Sequence, residues 1–236
     1  MLTVLLLSSL SLILSSPSPG CGTELPAKPG PGRHHRLAVL VSDPEQGDVS
    51  REFSLHLPAQ YDTTNTLPVP LVLDYHGWGG SLHDQMVNMP WRDVADLDSP
   101  GFLYVAMGGM NDVTDGGSWG SWNVSSDVGP LGRTCVPSLH SDFPCYSSCG
   151  GGDCSYLQDS CDWTSCHDDI AFTEAVLTKI LSAYCVDTEQ LHMSGASNGG
   201  IQSVPLQVSD IAHASSLMSY GAIGALKVVR GKKCPL

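Results

Sequence analysis

The chain has 236 residues, 42% of them hydrophobic, which is enough length and apolar content for one domain with a sizeable core. Its formal net charge of −13 excludes the basic surface that nucleic-acid phosphates require and argues against docking on anionic membranes, so a neutral or uncharged partner is expected. Nine cysteines point to an oxidising compartment with disulfides as the default.

At the amino terminus, the apolar run Val4 to Leu14 is too short to span a bilayer and is followed by small residues, as in a cleaved signal peptide. The expectation is a leader over 1–20, ending near Gly20, then a linker over 21–35 and a domain over 36–236. A lipid-bearing Cys21 is the rival, and it lacks the leucine usual before such a cysteine. Strands are expected over Leu37 to Val41, Glu52 to Leu57 and Leu71 to Tyr75. The third runs directly into His76-Gly77-Trp78-Gly79-Gly80, a glycine-rich loop of the type whose backbone N–H groups bind an oxyanion. A helix is expected after Gly80, through Asp93 and Val94, and a strand over Phe102 to Ala106.

Residues 107–166 are rich in Gly, Cys, Trp and Asp without steady periodicity and read as a disulfide-stapled insertion. Leaving the carboxyl end of a strand, it either shapes a substrate cleft through Trp119, Trp122, Tyr146 and Trp163 or packs as a surface excursion. Cys145, Cys149, Cys154, Cys161 and Cys166 lack the paired C-x2-C spacing of zinc sites, and the aspartate clusters lack an EF-hand pattern, so no metal is expected. Asn123-Val124-Ser125 is a glycosylation sequon.

A helix over His167 to Tyr184 follows from Phe172, Val176, Leu177, Ile180, Leu181 and Tyr184 at helical spacing, with Ser165 and Asp168 resembling a capping box. Cys166 and Cys185 bracket it at nearly 30 Å, roughly 19 residues at 1.5 Å each, so each must pair elsewhere. The strand-like run ending at Ser194 leads into Gly195-Ala196-Ser197-Asn198-Gly199, the form of a nucleophile elbow, which lifts a serine hydroxyl clear of the sheet. Ser197 is the candidate nucleophile, with the N–H of Asn198 as one oxyanion donor and the loop His76 to Gly80 as the source of the other. A last strand is expected over Ala214 to Met218. Strands alternating with helices imply a mostly parallel sheet covered on both faces.

Taken in order, His76 to Gly80, Ser121-Trp122-Asn123, Cys145-Tyr146-Ser147-Ser148-Cys149, the run Cys161 to Asp169, Cys185-Val186-Asp187 and Gly195 to Gly200 resemble the secreted polyhydroxybutyrate depolymerase and feruloyl esterase-like α/β-hydrolases. The resemblance covers about Arg36 to Gly221. It implies an α/β-hydrolase fold and a secreted, cofactor-independent serine esterase acting on polyhydroxyalkanoates or on phenolic esters of polysaccharides. Ser197 would be its nucleophile, Asn198, Gly77 and Trp78 its oxyanion hole, and His76, Trp119 and Trp122 would line the substrate cleft.

That family also needs an Asp and a His beyond the serine. After Ser197 stand one aspartate, Asp210, and one histidine, His213, at an expected helix-to-strand junction on the opposite edge of the sheet from the elbow. Pro205 interrupts the helix expected behind the elbow, and the stretch from Ala225 onward is basic. The expectation is a chain that lacks the last strands and is weak or inactive, with a noncatalytic protein binding polymer or polysaccharide as the alternative.

Overall fold

β1 (Arg33–Asp43) and β2 (Gly47–Leu57) form an antiparallel hairpin in continuous register from Arg33 opposite Leu57 to Asp43 opposite Gly47. In the computed structural model, which describes residues 15–44, 46–97, 99–113, 117–123, 146–149, 165–200, 202 and 218–220, this hairpin begins a six-stranded sheet. The other strands are β3 (Val69–Tyr75), β4 (Leu103–Met107), β5 (Val186–Ala196) and β6 (Met218–Tyr220), and the spatial order is β1-β2-β4-β3-β5-β6. β4, β3, β5 and β6 are mutually parallel, whereas β2 meets β4 antiparallel.

Alternation along the strands divides the core between two faces. Leu71, Leu73 and Tyr75 of β3 and Leu103, Val105 and Met107 of β4 join Phe172, Val176, Leu177 and Ile180 of the helix Asp169–Ala183. Val72, Tyr104 and Ala106 face the other way, onto Met86 and the partly buried Leu82 and Trp91. The expected helix after Gly80 is two, α1 (Leu82–Asn88) and α2 (Trp91–Leu97). Pro90 divides them: Met89 before it is extended, as the proline ring demands, and the α2 ladder restarts from the Pro90 carbonyl, which accepts Val94 N–H at 2.9 Å.

Helix α3 (Asp169–Ala183) lies within the expected span, but its cap differs. Asp168 is the N-cap, its carboxylate accepting Ala171 N–H at 2.8 Å, so the Ser165–Asp168 pair is not a capping box. The reason lies one residue on: Asp169 is held inward by Arg51 at 2.5 Å and by Asn123 N–H at 2.6 Å, which fixes the start of the helix there. Arg51 and Asp169 are both fully buried, and the guanidinium also lies over the Phe172 ring.

β1 starts at Arg33, and residues 16–32 lie against the domain, where their polar groups complete the ends of α3 and β5. Ser18 N–H donates to Val186 O at 2.8 Å, Ser18 Oγ donates to Tyr184 O, and Gly20 packs on the backbone of Tyr184. Cys21 forms a disulfide with Cys185. That sulfur is not available for a lipid thioether, and Cys185 does pair away from Cys166. Residues 1–14, Cys135, Cys145, Cys154, Cys161, Trp163, the sequon's Val124 and Ser125, Pro205, Asp210, His213 and the expected strand up to Leu217 lie outside the described residues.

A sheet with an antiparallel hairpin followed by parallel strands, helices on both faces, and a serine turn closing its fifth strand is the α/β-hydrolase fold.

Candidate active site

β3 and β5 are neighbours in register up to Tyr75 opposite Gly195, so their carboxyl ends deliver the two motifs to one place. Ser197 follows β5 with φ 50°, in the left-handed region that costs a non-glycine residue free energy, and its side chain is exposed. The flanking glycines are steric requirements. A β-carbon at Gly195 would stand 2.5 Å from the Gly199 backbone, and one at Gly199 only 2.3 Å from the carbonyl oxygens of Tyr75 and His76.

The loop after β3 sits against this elbow. A β-carbon on Gly77 would lie 3.3 Å from Ala196 O and 3.4 Å from Ser197 Cβ. The Gly77 carbonyl accepts Gly80 N–H at 3.0 Å, closing a tight turn around Trp78 and Gly79, where Gly79 has φ 75°. Asn198 is buried, and its amide donates to Ser121 Oγ at 3.1 Å.

His76 and Trp122 do not line a cleft. His76 is 2% exposed and Trp122 0% exposed, because both support the loop from beneath. His76 Nδ1–H donates to Gly77 O at 2.8 Å, and its Nε2 accepts Gly109 N–H at 2.9 Å, which defines a neutral tautomer. Burial pulls its pKa below the ordinary histidine value, partly opposed by the Gly77 hydrogen bond. The Trp122 indole N–H donates to His76 O at 2.7 Å, and its ring packs on both Tyr75 and His76.

Trp119 is the aromatic residue that does reach the surface, at 36% exposure, stacked on Trp78 with ring centroids 4.8 Å apart and planes 20° from parallel. Tyr146 braces the pair: its hydroxyl accepts the Trp78 indole N–H and donates to Trp119 O, each at 2.7 Å. One member of this stack thus belongs to the turn that faces Ser197.

Asp74, two residues before His76, belongs to the support and was not anticipated. It is buried, accepts Tyr104 OH at 3.0 Å and the Gln85 amide, and burial pushes its carboxyl above the ordinary range against hydrogen bonds from Gln85, Ser194 and Tyr104. It ties α1 to the end of β3. A lone carboxylate within an otherwise apolar buried strand was the available signal.

Among the described residues, no imidazole or carboxylate bonds the Ser197 hydroxyl, and no cluster of three or more His, Cys, Asp or Glu side chains is arranged to hold a metal. The arrangement offers an exposed strained serine and a loop of backbone amides beside it. Those parts can hold an acyl carbon and its oxyanion.

No family model matches the chain. It is 23% identical over 227 residues to "Probable feruloyl esterase C" of Aspergillus niger, an alignment covering 94% of this chain and 60% of that relative, so the chain spans about three-fifths of the length of the curated relative it matches. Solved structures with some likeness include an S-formylglutathione hydrolase from Agrobacterium tumefaciens, with 13% identity, 75% of this chain and 53% of that one covered, and TM-score 0.44. An acetyl xylan esterase from Aspergillus awamori gives 12%, 71%, 44% and 0.43 for the same quantities, and a ferulic acid esterase gives 14%, 77%, 58% and 0.45.

Proposed function

We propose that this polypeptide carries the nucleophile and oxyanion half of a secreted serine carboxylic-ester hydrolase, of feruloyl esterase or polyhydroxybutyrate depolymerase type. The observation that carries the reading is Ser197 at φ 50° on the end of β5, with Gly77 in contact across from it. In this reading Ser197 Oγ attacks the ester carbonyl carbon, and the N–H groups of Asn198 and of the Gly77-Trp78 turn receive the oxygen that becomes negative. No cofactor is required, since a serine, a base and two amides suffice for acyl transfer. The distant feruloyl esterase relative supports an ester as substrate.

Secretion is part of the proposal, supported by the apolar run Val4 to Leu14 and the Cys21–Cys185 disulfide. A second reading, noncatalytic binding of polymer or polysaccharide, is favoured by the surface stack of Trp119 on Trp78.

Incubation with a fluorophosphonate probe tests the first reading. Covalent labelling that disappears in Ser197→Ala is expected. An unlabelled protein that still sediments with insoluble polyester or arabinoxylan, equally in Ser197→Ala, would replace the esterase with the binding protein.

A further inference from the structure

We propose that the leader is cut at the Ser15–Ser16 bond and that the new α-ammonium of Ser16 pairs with the buried carboxylate of Asp187. The proposal rests on the secretion reading above and not on the esterase reading.

Asp187, the second residue of β5, is 2% exposed, yet among the described residues no cationic side chain lies within ion-pair distance of it. Its Oδ1 accepts the backbone N–H groups of Ser16 at 3.0 Å and Glu189 at 3.1 Å, and Oδ2 accepts the Gln190 amide at 2.7 Å. A buried carboxylate held only by neutral donors is costly, and one added positive charge at the right atom removes much of that cost. The Ser16 nitrogen already stands at that place. Hydrolysis of the Ser15–Ser16 amide by a signal-type peptidase consumes one water, leaves the carboxylate on Ser15, and turns the Ser16 nitrogen into an ammonium without moving it.

The rest of the strap shows why the cut cannot lie near Gly20 without damage. Ser16 O accepts Thr188 N–H at 2.8 Å and Thr188 Oγ1–H at 2.9 Å. Pro17 forms an antiparallel bridge with Asp187, and Ser18 Oγ accepts the buried Val186 N–H at 3.0 Å. Removing 16–20 would strand those donors, whereas removing residues up to Ser15 strands none of them. Ser15 and Ser16 are exposed, and Ser15 is a small residue directly after the apolar run. Because β5 ends at the Ser197 elbow, the pair would also fasten the base of the strand that presents the nucleophile.

The test expresses the full chain with its own leader in a eukaryotic secretory host and determines the mass and amino-terminal sequence of the protein in the medium. A start at Ser16 is expected. Any other start, Cys21 above all, overturns the proposal while secretion stands; protein retained in cells with Met1 intact overturns both. The ion pair is read separately by the rate at which the Ser16 α-amine of the secreted protein is acetylated near pH 6.5, where lysines stay protonated. A pair with Asp187 holds that nitrogen as ammonium, so acetylation should be at least several-fold slower in the parent than in Asp187→Asn. Equal rates in the two overturn the pairing. If Asp187→Asn fails to fold, an unstructured Ser16–Gly20 peptide is the reference, and a parent that reacts as fast as that peptide overturns the pairing.

Discussion

Gly77 lies so close to Ser197 that a methyl group on it would stand 3.4 Å from the serine Cβ and 3.3 Å from Ala196 O. That is tight but not impossible, so Gly77→Ala should fold while pushing the loop a few tenths of an ångström from the elbow. A misplaced oxyanion donor costs about 10²-fold or more in acyl-transfer rate. The expected outcome is fluorophosphonate labelling slowed by at least tenfold with an unfolding midpoint close to that of the parent. Labelling at the parental rate would show that Gly77 is not part of the oxyanion site.

Gly199→Ala is the contrasting case. Its β-carbon would meet the Tyr75 and His76 carbonyl oxygens at 2.3 Å, and both belong to the backbone of β3 and its loop. Neither can yield without parting β3 from the elbow, so the loss should reach about 3 kcal/mol or more in urea unfolding. A cost below about 1 kcal/mol would mean that the elbow is not packed on β3 as described.

The pH dependence of the loop follows from His76. Its native pKa is lowered by burial, so the unfolded chain takes up a proton first as pH falls through about 6.5. The loop's contribution is therefore fully present above that value and declines below it. Protonation would also place an N–H on Nε2 facing the Gly109 N–H, two donors with no acceptor between them. Between pH 7.5 and 5.5 the parent should lose more thermal stability than His76→Gln. Parallel losses would rule out this histidine as the titrating group.

Most strand spans, the two motifs and the long helix were legible because each rests on local chemistry: the apolar run Leu71 to Leu73, helical spacing from Phe172 to Ile180, and glycines where the backbone must turn sharply. What escaped depends on contacts remote in sequence. The cap moved to Asp168 because Arg51, 118 residues from Asp169, holds that carboxylate inward. His76 and Trp122 became supports rather than cleft residues because Gly109 and the His76 carbonyl claim their polar atoms. The strap over 16–21 was invisible for the same reason, since its partners stand 165 or more residues away in several of its bonds.

Tyr146 tests the aromatic brace. Its hydroxyl joins the Trp78 indole to the Trp119 carbonyl, and Tyr146 itself is buried. Tyr146→Phe takes that hydroxyl from one donor and one acceptor, a loss of roughly 1–3 kcal/mol. Because the change acts on the Trp78 turn, labelling of Ser197 should slow as well. Lost stability with an unchanged labelling rate would separate the brace from the oxyanion turn.

Acid should loosen the segment that carries Asp112. Burial alone would raise its carboxyl, but the facing His167 imidazole and the hydrogen bond from Ser148 N–H outweigh that and hold it at about 2. His167 Nε2 stands 3.5 Å from Asp112 Oδ2 and its Nδ1 3.6 Å from Asp43 Oδ2, so one imidazole links β1 to the segment around Ser147. A depressed carboxyl stabilises the fold above its unfolded pKa of 3.8, and that contribution fades as pH falls from there toward 2. Allowing for screening at its part-exposed edge, the contribution is about 1–2 kcal/mol. The stability gap between the parent and Asp112→Asn should thus be constant from pH 7 to about 4.5 and narrow below 4. A gap that does not narrow on acidification would show that the substitution acts through packing and that the carboxylate charge contributes nothing there.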